Sequence, residues 1–394
     1  MKRKFRFTCF LLAISFILTG CWDKTEIDRR AFISTISIDP GEEIGKSQEL
    51  KGIKEDEIFQ ERQIKKINVT YSFPDISSLG PNVSGTSAEK TIKTQSYSME
   101  GSISEATSKS SRSIHLGHSK MLVLSDAMFS YPEVVKEIVD YFRRNPTINR
   151  SMNVVVAEGN AEDYEKFKPS MEQNFQSYIN GLMENSDKNS TIIPMTLNEL
   201  LKLLEENGNA IIPYIKMNKK ENEVSVYGIA LIKNYELIGV LNSIETSDVE
   251  ILRGKAKGGT KVIYKEGHPI NYSIEGIERK LRVTEINEKK LKMDIDINLE
   301  GSAKSFTVDK KLLSSKVLAE YEKNFDKTLS MECNKILKVI QEKYNIEPFA
   351  IKEYLEKYHP YKWKKVQGNW EEIYKNAEFN VNIKTKIRRI GITQ

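Results

Sequence analysis

The chain has 394 residues, of which 39% are hydrophobic and 29% charged, with a formal net charge of +5. That length suits two or three domains at roughly 100–200 residues each, and the composition is that of folded globular material, excluding a fibrous or disordered chain. Lys2, Arg3, Lys4 and Arg6 carry four of the five excess charges. The rest is almost neutral and its charge runs mix signs, as in Glu288-Lys289-Lys290, which excludes the one-sided basic face of a nucleic-acid binder.

The N-terminus reads as an export signal. Residues 1–6 are basic, residues 7–18 apolar, and Leu18-Thr19-Gly20 ends the run with small residues; the segment is too short for a stable membrane span. Cys21 follows at once, and Leu18-Thr19-Gly20-Cys21 resembles the lipobox of bacterial lipoproteins. The resemblance implies that Leu18, Thr19 and Gly20 direct the signal peptidase, that cleavage falls before Cys21, and that Cys21 carries an S-diacylglyceryl group and an N-acyl chain. Several acyl chains bury many methylenes at about 0.8 kcal/mol each, enough for stable anchoring where one chain holds only marginally. Cys9 falls in the leader and Cys333 in a helical pattern with no neighbouring Cys or His, so no disulfide is expected and Cys333 reads as a small packed thiol.

In chain order, residues 31–38 read as a strand, and Ile67, Val69, Tyr71 and Phe73 alternate with polar residues as a half-buried strand does. Residues 77–98 are rich in Ser, Thr, Gly and Pro and read as a mobile surface loop. A helix-like stretch follows at 102–113, then a strand at 121–124. A helix opening at Pro132 places Val135, Ile138, Val139 and Phe142 on one face, and 154–156 is a short apolar strand. Thr196-Leu197-Asn198-Glu199 is a capping box opening a helix that Gly208 stops. The polar run 216–223 has no period and reads as a linker between an N-terminal domain, 21–215, and a C-terminal domain, 224–394. The N-terminal domain can itself split at the 77–98 loop. The C-terminal part begins as a sheet, its clearest strand placing Leu291, Met293, Ile295, Ile297 and Leu299 on one face. Residues 308–344 switch to helical period, a shorter helix runs from Pro348 to His359-Pro360, and a final strand carries Phe379, Val381, Ile383 and Ile387. The fold class is α+β, with mixed or antiparallel sheets and helices packed against them.

Catalytic and metal signals are weak. His115-Leu116-Gly117-His118 has no third ligand at metal spacing, and Gly117 disfavours the helix that would align the pair. Gly258-Gly259-Thr260 lacks the Lys-Ser/Thr ending of a phosphate cradle. Trp363 and Trp370, with Tyr361 and interleaved lysines, read as closing a small core rather than as a nucleic-acid face. No catalytic, cofactor or metal residue is assigned, and the chain is read as not an enzyme.

Several stretches, taken in order, also resemble one family. Cys21-Trp22-Asp23, Glu26-Ile27-Asp28, Ala31-Phe32 and Ser37-Ile38-Asp39 are similar to the mature start of the GerC-type lipoproteins, the C subunits of the nutrient germinant receptors of endospores. The likeness continues through residues 117–124, 142–148 and 154–162. It then runs through Gly228-Ile229-Ala230-Leu231, Leu237-Ile238-Gly239, Glu245-Thr246 and the closing Trp363, Trp370 and 381–391. Residues 77–98 depart from the family's glycine-rich linker, and Asn145 stands where an acid is common. The resemblance implies a subunit on the outer surface of the spore inner membrane, assembled with a membrane-embedded A subunit and a transporter-like B subunit. It implies no cofactor, and direct nutrient binding is not expected. A lipid-anchored solute-binding protein of a transporter is the alternative; it would need a doubly wound sheet in each lobe, against which the strand-rich 224–299, without regular crossover helices, argues.

Overall fold

A computed structural model describes residues 29–46, 49, 52, 64–75, 89–265, 267–304 and 315–391. Leu18, Thr19, Gly20 and Cys21 lie outside them, as do residues 76–88 of the Ser/Thr-rich stretch.

The N-terminal half supplies β1 (Arg30–Phe32), β2 (Thr35–Pro40), β3 (Ile67–Pro74), β4 (Glu89–Ser96), β5 (Ser113–His115), β6 (Met121–Ser125), β7 (Asn153–Ala157) and β8 (Ala210–Asn218). With β9 (Glu223–Lys233) and β10 (Glu236–Asn242), all but β1 and β5 join one mixed sheet in the order β10-β9-β8-β7-β6-β2-β3-β4. Its centre, β2-β6-β7-β8, is parallel, and parallel strands need crossovers that cover both faces. Helices α1 (Met99–Ser108), α2 (Pro132–Arg144) and α5 (Leu197–Asn207) cover one face; the short α3 (Ala161–Tyr164) and α4 (Phe175–Glu184) lie on the other. Val154 and Val156 therefore pack towards Phe142 and Leu200, while Val155 packs towards Tyr164 and Ile179. This is why β7 is an unbroken apolar run rather than an alternating one. Helix α2 has Pro132 in its first turn and buries Val134, Val135, Ile138, Val139 and Phe142, each worth about 1.5–3 kcal/mol of transfer free energy. Helix α5 has the expected reciprocal cap between Thr196 and Glu199 and ends at Gly208 with φ 66°, a left-handed stop that glycine adopts without strain.

The C-terminal half adds α6 (Ser243–Arg253) and a second sheet, β11 (Thr260–Lys265), β12 (His268–Asn287), β13 (Lys290–Lys304) and β14 (Glu378–Gly391), in that order. The β13–β14 pairing is parallel; its crossover is α7 (Ser315–Lys338), which continues in wider turns to Tyr344, then α8 (Ile351–Tyr358), α9 (Pro360–Val366) and α10 (Trp370–Lys375). Phe325, Leu329, Cys333, Ile336 and Leu337 of α7 pack on Leu291, Met293, Ile295, Ile297 and Leu299 of β13. The opposite face is wet, with Arg282 bridging Asp294 and Asp296 at 3.1 and 2.9 Å; such exposed pairs contribute little.

The two halves share a core through β8 and β9. Alternate residues divide: Ala210, Ile212, Ala230 and Ile232 face the α2–α5 layer, whereas Ile211, Ile229 and Leu231 join the core of the second sheet.

The α+β class, the mixed sheets and the long C-terminal helix agree with the sequence reading, but several details differ. Residues 89–96 of the expected loop form β4, with Ser98 capping α1; alternating Ile92 and Thr94 turn inward, a signal diluted by hydroxyl residues. The run 216–223, read as a linker, is the tip of the β8–β9 hairpin, with Asn218 opposite Glu223. Its charges point outward while the main chain pairs on, so the sheet passes through the expected boundary. Residues 31–38 divide into β1 and β2 because β1 leaves the large sheet to pair in parallel with β5. The stretch 224–299 is interrupted by α6, capped reciprocally by Asn242 and Glu245. Tyr361, expected in a small core, is 82% exposed, whereas Trp363 is buried and Trp370 packs against it.

Candidate functional site

Cys21, expected from the sequence to carry lipid, and Leu18, Thr19 and Gly20 lie outside the described residues; the described chain from Arg29 onward is held in place. Ile33 N donates to His115 O at 3.1 Å and Ser113 Oγ to Arg29 O at 3.2 Å, fastening β1 to β5. Phe32 sits edge-on to His115 and His118, with ring centroids at 5.5 and 5.1 Å, and the two imidazoles are 5.4 Å apart. Burial, the Arg30 charge and His118 all hold His115 below the usual histidine range. The pair therefore serves as an aromatic clamp on β1, and among the described residues no group of three or more His, Cys, Asp or Glu is placed to hold a metal.

The stretches that carry the family resemblance meet in space as joints of the fold. Asp39, at the end of β2, accepts Ala161 N at 2.6 Å and Glu162 N at 3.0 Å, tying 37–39 to 154–162. Asn149 Nδ2 donates to Ser119 O at 2.8 Å, tying 117–124 to the turn after α2. In the second half, a side chain at Gly228 would fall on the backbone of Leu241 and Asn242, and one at Gly239 on the Tyr344 ring. Thr246 Oγ1 donates back to Asn242 O at 2.8 Å. Each of these residue types is required by a close approach or an unpaired backbone group.

The sequence reading missed a polar layer beneath β2 and β3. Ser37 Oγ and Ser72 Oγ both donate to the Glu165 carboxylate, the second at 2.7 Å. Ser34 Oγ donates to Glu89 Oε1 at 2.8 Å. The layer sits on the face of β2 that period-two reading assigns to solvent, yet Thr35, Ser37 and Asp39 are all buried there. The available signal was chemical: short hydroxyl residues, not Lys or Glu, occupy the alternate positions. Burial pushes the Glu165 carboxyl up to about 7, against the two hydroxyl bonds.

A raised folded-state pKa means that the stability tied to this proton is fully present below the ordinary glutamate value of 4.5 and is lost as pH rises through about 7. Glu165→Gln, uncharged at every pH, is thus expected to match the parent near pH 4.5 and to exceed it by up to about 3 kcal/mol above pH 7. Denaturant midpoints across that range measure it; a difference that does not change with pH would refute the assignment.

Comparison with known proteins fits this picture of structural joints. Residues 23–217 match the family described as spore germination protein N-terminal domain, and residues 227–391 the family described as spore germination B3/GerAC like, C-terminal. The junction between them falls at the β8–β9 hairpin. Spore germination protein YndF of Bacillus subtilis (strain 168) is 26% identical over 405 residues, covering 99% of this chain and 98% of that protein. Spore germination protein B3 of the same organism is 23% identical, covering 95% of each. The crystal structure of the GerBC protein superimposes with a TM-score of 0.58 at 22% identity, over 82% of this chain and 93% of that one. With both of its domains matched in order, the chain belongs to the GerAC family of spore germination proteins.

Proposed function

We propose that the chain is a lipid-anchored, non-enzymatic subunit of a spore nutrient germinant receptor, placed on the outer surface of the spore inner membrane and acting through contacts with A and B membrane subunits. The observation that carries this reading is the order of parts: a Leu18-Thr19-Gly20-Cys21 leader motif followed by both germination domains. In this reading Cys21 carries the attachment; among the described residues no helix is long and apolar enough to cross a membrane. Seven residues separate Cys21 from Arg29, so the reach between the two is at most about 29 Å at 3.3–3.6 Å per residue. The fold would therefore ride close to the headgroups, beside integral partners. The solute-binding alternative needs two doubly wound lobes with ligand at a topological switch point; the antiparallel β8–β10 and β11–β13 ribbons are a poor match. Deleting the gene in its spore-former is expected to leave spore formation intact while germination with one nutrient class fails. Unchanged germination with every nutrient would contradict the proposal.

A further inference from the structure

Helix α9 and the last turn of α8 present a surface that core packing does not explain. Trp363 and Val366 turn inward, whereas Tyr361 is 82% exposed and Tyr358, at the end of α8, 60% exposed. Lys362, Lys364 and Lys365 are exposed beside Tyr361. Helix α8 is balanced, Lys352 and Lys357 against Glu353 and Glu356, but residues 360–366 contain no acid. The next carboxylates along the chain are engaged, Glu371 by Lys233 at 3.3 Å and Glu372 by Asn369 at 2.7 Å. Among the described residues the three α9 lysines form no ion pair.

The large sheet fixes where this surface lies. Strands β2, β6, β7 and β8 are parallel, and their first residues share one end with the last residues of β9. The chain from Cys21 enters at that end through β1 and Ser34, whose carbonyl accepts Lys120 N at 2.8 Å. Lys233, closing β9 there, donates to Asn345 O at 2.9 Å and to Glu371 Oε2 at 3.3 Å. Helices α8 and α9 are the excursion between those two fixed points, which ties them to the end where the chain arrives. Lys120 and Arg150, just before β6 and β7, are exposed at this end and pair with no carboxylate among the described residues.

Lysines without counter-charge around exposed phenol rings suit a surface that is anionic and amphipathic at once. Lysine stems reach phosphates, and tyrosine rings, apolar in body and wet at the tip, settle at the headgroup level of a bilayer. An acidic protein surface answers the charge but gives the rings no such place. Residues 22–28 hold three acids and one lysine, so attraction to anionic lipid falls to the fold and not to its tether. We propose that α9 docks on anionic phospholipid headgroups, with Lys362, Lys364 and Lys365 at the phosphates and Tyr361 in the interface, so that the fold lies on the membrane to which Cys21 ties it. Nearness of a bilayer rests on the anchoring reading, but the affinity is that of the unacylated fold and is measured without Cys21.

Residues 22–394, which include every described residue and no acylation site, are sedimented with vesicles of phosphatidylcholine alone or mixed in equal parts with phosphatidylglycerol. At about 0.15 M salt, where charges beyond roughly 8 Å are screened, partition onto the mixed vesicles is expected to be at least about tenfold stronger than onto the neutral ones. Lys362→Gln, Lys364→Gln and Lys365→Gln together should lose at least about tenfold, and Tyr361→Ser, which changes no charge, about threefold. The same charge change on α7, at the exposed Lys316, Lys323 and Lys327, should cost less than about twofold. All these side chains are exposed, so unfolding midpoints should stay close to the parent's, separating lost docking from lost structure. Equal partition onto both vesicles, an α9 lysine variant that binds like the parent, or an equal loss from the α7 variant would overturn the proposal. No binding to either vesicle would do the same and leave the lysines to an acidic protein partner. None of these outcomes depends on acylation, so failure here leaves the anchor standing and failure of the anchor leaves this affinity measurable.

Discussion

Replacing Asp248 by Ala is expected to destabilise the protein by about 3–5 kcal/mol, because it leaves an ammonium group buried without its counter-charge. Asp248 lies on α6 and Lys261 at the start of β11; their side chains are 6% and 8% exposed, and they bond directly. Burial pushes the Asp248 carboxyl up while Lys261 pulls it back. Glu332, 3.7 Å from the same Nζ but 38% exposed, offers partial compensation and favours the lower end of that range. Removing both charges tells the same story with the opposite sign: Asp248→Leu with Lys261→Met should be close to neutral or stabilising. Chemical denaturation of the parent, Asp248→Leu, Lys261→Met and the double variant, the four members of one double-mutant cycle, measures the coupling. A single-mutant loss below about 1 kcal/mol would show the pair to be solvent-screened like the surface pairs on β12–β14. The pair also fixes the chemistry of Cys333, whose Sγ lies 3.9 Å from Asp248 O. Burial and the Asp248 charge push that thiol well above its ordinary range, as suits a packed side chain rather than a nucleophile.

Much of this architecture is legible in the residues where one physical signal dominates. The Pro132 helix, the Thr196 capping box and the β13 alternation stand where expected, as does the α7 stripe from Ser315 onward, residues 308–314 of that expected helix lying outside the described residues. Reading failed where burial and polarity part company. Strand β4 and the buried face of β2 use Ser and Thr in place of apolar residues, so the composition of 77–98 read as a loop and the strand at 31–38 gave no sign that both its faces are covered. The hairpin at 216–223 failed for the converse reason: its side chains are those of a linker, and only the pairing partner, distant in neither sequence nor space, makes it a sheet. Helix α6 escaped because its seven consecutive buried residues, from Thr246 to Leu252, include Ser247, Asp248 and Glu250, so no amphipathic stripe marks it. A cleft between the halves was invisible for a deeper reason: Asn345, Trp370 and Tyr374 line it together with residues of α5, well over a hundred residues earlier in the chain. Glu165 is the same case, since nothing in its own neighbourhood announces Ser37 and Ser72.

The second large effect concerns the anchor. Acyl chains on Cys21 would contribute about 0.8 kcal/mol per buried methylene, which over several chains sums to stable attachment. Cys21→Ser nearly keeps the size of the side chain and removes the sulfur that, under the proposal, would accept the diacylglyceryl group. In spores carrying that substitution at the native locus, the chain is expected to leave the inner-membrane fraction, to lack acyl mass at its N-terminus, and to germinate with its nutrient class no better than the deletion strain. A Cys21→Ser chain that stays with the inner membrane unacylated and supports normal germination would contradict the account.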